Sequence, residues 1–150
     1  MRQTFNRRSL LTYCVGGAAS AMLLTSASPS SAATTGFKAD LKGSTEVPPN
    51  TSAGAGSLTA TWDPAKKELS WSGSFSGLSG PATAAHFHGP GEAGKNAGVA
   101  VPIPNIGKSP AEGSATLTDA QAADFLAGKY YINIHTAANP AGEIRGQVTK

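Results

Sequence analysis

The chain has 150 residues, with twelve lysines and arginines against nine aspartates and glutamates. Three of the arginines lie in the first 33 residues, so residues 34–150 carry nine groups of each sign and a net charge near zero. No segment of residues 34–150 concentrates basic side chains, which argues against binding to nucleic acid or to an anionic membrane surface.

The first 33 residues have the features of an export signal. Arg2, Arg7 and Arg8 precede a weakly apolar stretch that runs to Leu24, and small residues follow it. The adjacent Arg7 and Arg8 resemble the twin-arginine export motif of bacteria. The residues after them depart from the fuller motif, so a general secretory signal stays open as the alternative.

Cleavage after Ala32 or Ala33 removes Cys14, the only cysteine of the chain. We therefore expect an exported protein, secreted, periplasmic or associated with the cell envelope, with no disulfide and no membrane anchor. The remaining residues, 34–150, have the length of one domain.

Several short segments alternate apolar and polar residues, which predicts β-strands with one buried face. The first lies at residues 37–41. Residues 58–62 and 69–75 flank turn-forming residues at 63–67 and predict a hairpin with Trp62 and Trp71 on its buried face. Further strands are predicted at 82–88, 99–101 and 113–117, and prolines at 102 and 104 exclude a central strand beyond residue 101.

One helix interrupts the strands. Thr118 and Gln121 form a capping box, an apolar face follows at positions 122, 125 and 126, and Gly128 ends the helix.

The strongest hairpin signal comes from residues 130–135 and 143–148. Tyr130, Ile132 and Ile134 are predicted to face the core. The opposite face is predicted to carry Tyr131, Asn133 and His135, with some of Glu143, Arg145 and Gln147 across the hairpin. Together these elements predict an all-β fold, an antiparallel, Greek-key-like β-sandwich or barrel with one short helix.

Three segments of the chain resemble the CHRD domain, the module repeated in chordin and found singly in many exported bacterial proteins. They are residues 46–49, 85–90 and 131–147, and the resemblance spans residues 36–149. It identifies residues 34–150 as a CHRD domain and implies an antiparallel β-sandwich. The resemblance alone does not settle the function. We expect a secreted binding or structural module without evident catalysis, whose partner is an extracytoplasmic protein or a metal ion.

The three histidines of the chain all fall in predicted strands. His86 and His88 are two residues apart, so both side chains leave the same face of the strand, about 7 Å apart. If the strand that carries His135 is a neighbour, His135 completes a candidate three-histidine site for copper or zinc, and ligation by imidazole alone favours copper. Shared ligation requires the ring nitrogens to lie within about 4 Å of one another. Glu46 and Glu143 are further candidate partners.

Two other interpretations stay open for these histidines. They are consistent with a purely structural role, in a buried hydrogen-bonded network with Asn133, Glu143 and Arg145. A copper-dependent redox enzyme built on the same site is a third class. The sequence offers no serine motif, no retained thiol and no carboxylate pair at a recognisable spacing, so nothing else in it indicates an enzyme.

Overall fold

The computed structural model describes residues 33–150. Residues 1–32, which hold nearly all of the predicted export signal and Cys14, lie outside this part. The strands are β1 (Thr35–Lys42), β2 (Ala55–Asp63), β3 (Glu68–Ser76), β4 (Ala82–His88), β5 (Val99–Pro102), β6 (Ala111–Thr116), β7 (Tyr131–Thr136) and β8 (Ile144–Gln147). One α-helix, α1 (Asp119–Leu126), precedes β7, and a single 3-10 turn (Gly43–Thr45) follows β1.

The eight strands form one antiparallel sheet in the order β5-β4-β7-β8-β1-β2-β3-β6. The sheet curls into a nearly closed barrel, which confirms the predicted all-β antiparallel fold with one short helix. Strands β1 to β3 follow one another as a meander. By contrast, β7 and β8 return late in the chain to lie between β4 and β1, so that β4 and β7 become neighbours.

The predicted local elements recur with small shifts at their ends. Strands β2 and β3 pair as the expected hairpin, and both Trp62 and Trp71 are buried. Thr118 and Gln121 form the predicted capping box of α1. Pro102 lies at the end of β5, and this position is tolerated because β5 is an edge strand that pairs on one side only.

The core consists of the inward-facing residues of the barrel, covered at one side by α1. Phe125 of α1 is fully buried and meets the ring of Phe37 edge to face, with 4.6 Å between the ring centres. Among residues 33–150, no helix has the length and apolar character needed to span a membrane.

One glycine sets how β8 approaches β1. A Cβ atom at Gly146 would lie 2.5 Å from the carbonyl oxygen of Asp40, closer than any side chain tolerates. The contact brings the backbone of β8 close to that of β1. Because Ile144 of β8 is buried in the core, the next residue, Arg145, points to the outer face of the sheet.

The packing of α1 can be tested at two adjacent positions. We expect Phe125→Ala to lower the free energy of unfolding by about 3–5 kcal/mol, because it removes a fully buried ring and leaves a cavity. Leu126→Ala, one residue along and 39% exposed, is the matched control, with an expected loss below about 1 kcal/mol. Urea denaturation of both variants measures the difference, and equal losses would contradict this packing.

Candidate metal centre

The outer face of β4 and β7 carries all three histidines. Ala85 and Phe87 of β4 and Ile132 and Ile134 of β7 are buried in the core. Because side chains alternate along a strand, the residues between them must point away from the core. The antiparallel register then sets His86 opposite Asn133, His88 opposite Tyr131 and His135 opposite Ala84.

The three imidazoles converge. Nδ1 of His86 lies 3.2 Å from Nε2 of His135. One ring nitrogen from each of His86, His88 and His135 can be chosen so that all three lie within 4.8 Å of one another. The structure therefore brings the three predicted residues together on one face. The pair His86 and His135 lies inside the expected separation of about 4 Å, whereas the set of three as a whole lies within 4.8 Å.

Backbone carbonyls orient two of the rings. Nδ1 of His88 lies 3.0 Å from the carbonyl oxygen of Ala97, and Nδ1 of His135 lies 3.0 Å from that of Pro140. A carbonyl oxygen only accepts hydrogen bonds, so Nδ1 of each ring is the donor, and in a neutral imidazole the lone pair is then on Nε2. Nε2 of His88 is buried and has no hydrogen-bond partner among the described residues.

The third ring completes the set by a change of tautomer. In the present arrangement Nδ1 of His86 donates to the Nε2 lone pair of His135. Moving the His86 proton from Nδ1 to Nε2 frees the Nδ1 lone pair, so that each neutral imidazole can offer one nitrogen lone pair to a metal ion.

Burial favours the neutral form of two of these rings. It lowers the pKa of His86, and the neighbouring His135 and His88 lower it further. Burial also lowers the pKa of His88, although the hydrogen bond to Ala97 opposes the effect. Since only the neutral imidazole binds metal ions, both rings are in the ligating form at neutral pH.

Glu46 is the first of the two candidate acids. It is buried, its Oε1 atom has no hydrogen-bond partner among the described residues, and it sits against Gly142. Burial raises the pKa of Glu46 to about 7, although the positive charge of Arg145 acts in the opposite direction. The carboxyl group is not among the ligating atoms that converge at the histidines.

Glu143, the other candidate acid, is fully buried at a different place. Its carboxylate accepts hydrogen bonds from the Ser52 hydroxyl at 2.7 Å, the Ser79 amide and hydroxyl at 2.7 and 2.6 Å, and the Thr136 hydroxyl at 2.5 Å. Burial alone would raise its pKa, but these hydrogen bonds dominate and lower the pKa of Glu143 to about 2. Glu143 therefore ties the end of β7 to two loops and has a structural role.

Sequence reasoning missed the carbonyl groups that orient the rings. Pro140 lies in the loop between β7 and β8, and Ala97 lies in the glycine-rich segment after β4. Neither has a side chain that signals such a role, because every residue offers the same backbone carbonyl.

A family comparison covers nearly all of the described chain. The family model of the CHRD domain matches residues 37–148. The chain belongs to the CHRD family. This membership indicates a binding or structural module. No curated protein and no solved structure matches the chain.

The hydrogen bonds of Glu143 predict how the stability of this CHRD domain depends on pH. The pKa of Glu143 in the folded protein is about 2, below its ordinary value of 4.5. Its ionised form therefore stabilises the fold at neutral pH, and this contribution disappears as the pH falls from about 5 towards 2. We expect Glu143→Gln to lower the free energy of unfolding at pH 7 by about 2–4 kcal/mol.

Urea denaturation at a series of pH values checks this expectation. The loss of stability between pH 5 and pH 2 should be shallower in Glu143→Gln than in the unaltered protein. Glu92→Gln, which changes an exposed carboxylate, is the matched control. An unchanged pH profile in Glu143→Gln would show that another group governs the acid response.

Proposed function

We propose that this CHRD domain binds one transition-metal ion through His86, His88 and His135, with copper preferred over zinc. The observation that carries the proposal is the convergence of three imidazole nitrogens within 4.8 Å, two of them on rings oriented by backbone carbonyls. Such an outer hydrogen bond on each ligating ring is a general property of histidine metal sites.

The distances support one shared ion. Zinc and copper bind imidazole nitrogen at about 2.0–2.1 Å, so two nitrogens on the same ion lie at most about 4 Å apart. The nitrogens of His86 and His135, 3.2 Å apart, already meet this limit. The proposal requires the widest pair, at no more than 4.8 Å, to move into the same range when the ion binds.

The composition of the donor set supports copper. The three converging donors are imidazoles, and neither of the two candidate acids, Glu46 and Glu143, is among the converging groups. For a given set of nitrogen ligands, divalent copper binds more tightly than divalent zinc.

The exposure of the site supports reversible binding. His86 and His135 are partly exposed, whereas His88 is buried. Three protein ligands leave one coordination position of a four-coordinate ion for water or an exchanging ligand. The proposal is therefore a carrier or scavenger of copper. We place this role outside the cytoplasm, in keeping with the export signal predicted for residues 1–33.

Metal titration tests the proposal directly. We expect the purified full chain to bind one copper(II) ion, and His88→Ala to weaken binding at least 100-fold, because it removes the buried ligand. Both proteins should carry Cys14→Ser, so that the single thiol does not compete for copper. Isothermal titration calorimetry gives the stoichiometry and the affinity.

The matched control is Thr61→Ala, which shortens an outward-facing, exposed side chain on β2, a strand that pairs with neither β4 nor β7. It should bind copper like the unaltered protein. Wild-type affinity for copper in a folded His88→Ala variant would contradict the proposal and indicate that the histidines have a structural role.

Competition between ions tests the preference for copper. Protein loaded with one equivalent of zinc should release it when one equivalent of copper(II) is added, because imidazole ligands follow the general affinity order of these ions. A colorimetric zinc indicator measures the release. Retention of zinc against equimolar copper would contradict the assignment.

A further inference from the structure

Ala97 joins two residues of the outer face. It lies in the segment 89–98, which connects β4 to β5 and is here called the glycine-rich loop. The Ala97 carbonyl oxygen accepts from Nδ1 of His88 at 3.0 Å and from the Tyr131 hydroxyl at 3.3 Å. The Ala97 amide donates to the same hydroxyl at 3.1 Å. Tyr131 thus holds the carbonyl that sets the tautomer of His88.

Tyr131 also holds the His88 ring by stacking. The two rings are almost parallel, with an angle of 5° between their planes and 4.9 Å between their centres. Tyr131 is itself buried. Its ring and its hydroxyl group therefore act on His88 in two independent ways.

Arg145 fixes the glycine-rich loop immediately before Ala97. Its guanidinium group donates to the Lys95 carbonyl oxygen at 2.6 Å and to Oδ1 of Asn96 at 2.9 Å. The same group lies over the Tyr131 ring, 3.4 Å from its centre. In turn, Asn96 donates to the carbonyl oxygen of Val47 at 3.0 Å, which links the glycine-rich loop to the segment that follows the 3-10 turn.

The placement of Arg145 is unusual for a charged side chain. Only 2% of it is exposed, yet no carboxylate lies within ion-pair distance of it among residues 33–150. Its hydrogen bonds go to neutral groups of the glycine-rich loop instead. A planar guanidinium group can donate to two acceptors and stack on a ring at the same time, which an ammonium group cannot do.

We propose that Arg145 and Tyr131 are positioning residues that couple closure of the glycine-rich loop to metal affinity at His88. The inference rests on the proposed metal-binding function. With the loop closed, Ala97 holds His88 with Nδ1 protonated and leaves the Nε2 lone pair free for a metal ion. When the loop opens, His88 loses this acceptor, its ring rotates more freely and the second tautomer becomes accessible.

The coupling acts in both directions. If closing the glycine-rich loop strengthens metal binding, then metal binding must stabilise the closed loop by the same factor. The Ala97 amide reports on closure, because its hydrogen exchanges with solvent only when the bond to the Tyr131 hydroxyl breaks.

The experiment measures copper(II) affinity by competition with a chelator of known affinity, in the full chain carrying Cys14→Ser. Tyr131→Phe keeps the stacked ring and loses the hydroxyl group, and Arg145→Lys keeps the positive charge and loses the planar guanidinium group. We expect each variant to weaken copper binding about 10-fold or more. One ion should still bind, because all three ligands remain.

Two controls separate positioning from general loss of stability. Lys95→Ala alters a loop residue of which Arg145 uses only the backbone carbonyl, so its affinity should stay within about 2-fold of the unaltered protein. Leu69→Ala removes a fully buried side chain of β3 and lowers stability without touching the loop. It should leave the affinity of the folded protein unchanged.

Hydrogen exchange supplies the reciprocal measurement. Copper should slow exchange of the Ala97 amide in the unaltered protein and have a smaller effect in Tyr131→Phe. Wild-type affinity in a folded Tyr131→Phe variant would overturn the inference, whether or not Arg145→Lys folds. Failure of the unaltered protein to bind copper, or full binding by His88→Ala, would instead overturn the proposed function.

Discussion

The alternation of side chains across β4 and β7 is the constraint on which the histidine site depends. Four apolar residues, Ala85, Phe87, Ile132 and Ile134, are buried in the core. A shift of either strand by one residue would expose this set and bury the histidines, at a cost of several kcal/mol in lost apolar burial. The stability of the barrel thus holds the imidazoles on one outer face, and the site needs no stabilising contribution of its own to stay assembled.

A second, polar layer lies on that outer face. The glycine-rich loop covers Tyr131, Arg145 and His88, and hydrogen bonds to its backbone satisfy most of their polar groups. Burial of polar groups is costly unless each finds a partner. Nε2 of His88 has no partner among the described residues, and a ring nitrogen of His88 lies within 4.8 Å of one from each of the other two histidines.

The two buried acids show how local partners decide the state of a carboxyl group. Glu143 accepts four hydrogen bonds and its pKa is lowered to about 2, whereas Glu46 has an unpartnered oxygen and its pKa is raised to about 7. Both are almost inaccessible to solvent. Glu143 anchors β7 as a permanent anion. Glu46 changes its charge near neutral pH because burial raises its pKa, although the positive charge of Arg145 lowers it, and its carboxyl group is not among the atoms that converge at the three histidines.

The amino-acid sequence by itself determined the strands, the capping box of α1 and the face on which each histidine lies. These features depend on periodicity and on contacts between near neighbours in the chain, which a single sequence displays directly. Only the tertiary structure decided that β7 lies beside β4, that Ala97 and Pro140 supply the carbonyl groups that orient two histidine rings, and that Glu143 has a structural role. Those outcomes depend on pairings between distant segments and on backbone groups common to every residue, so no local pattern marks them.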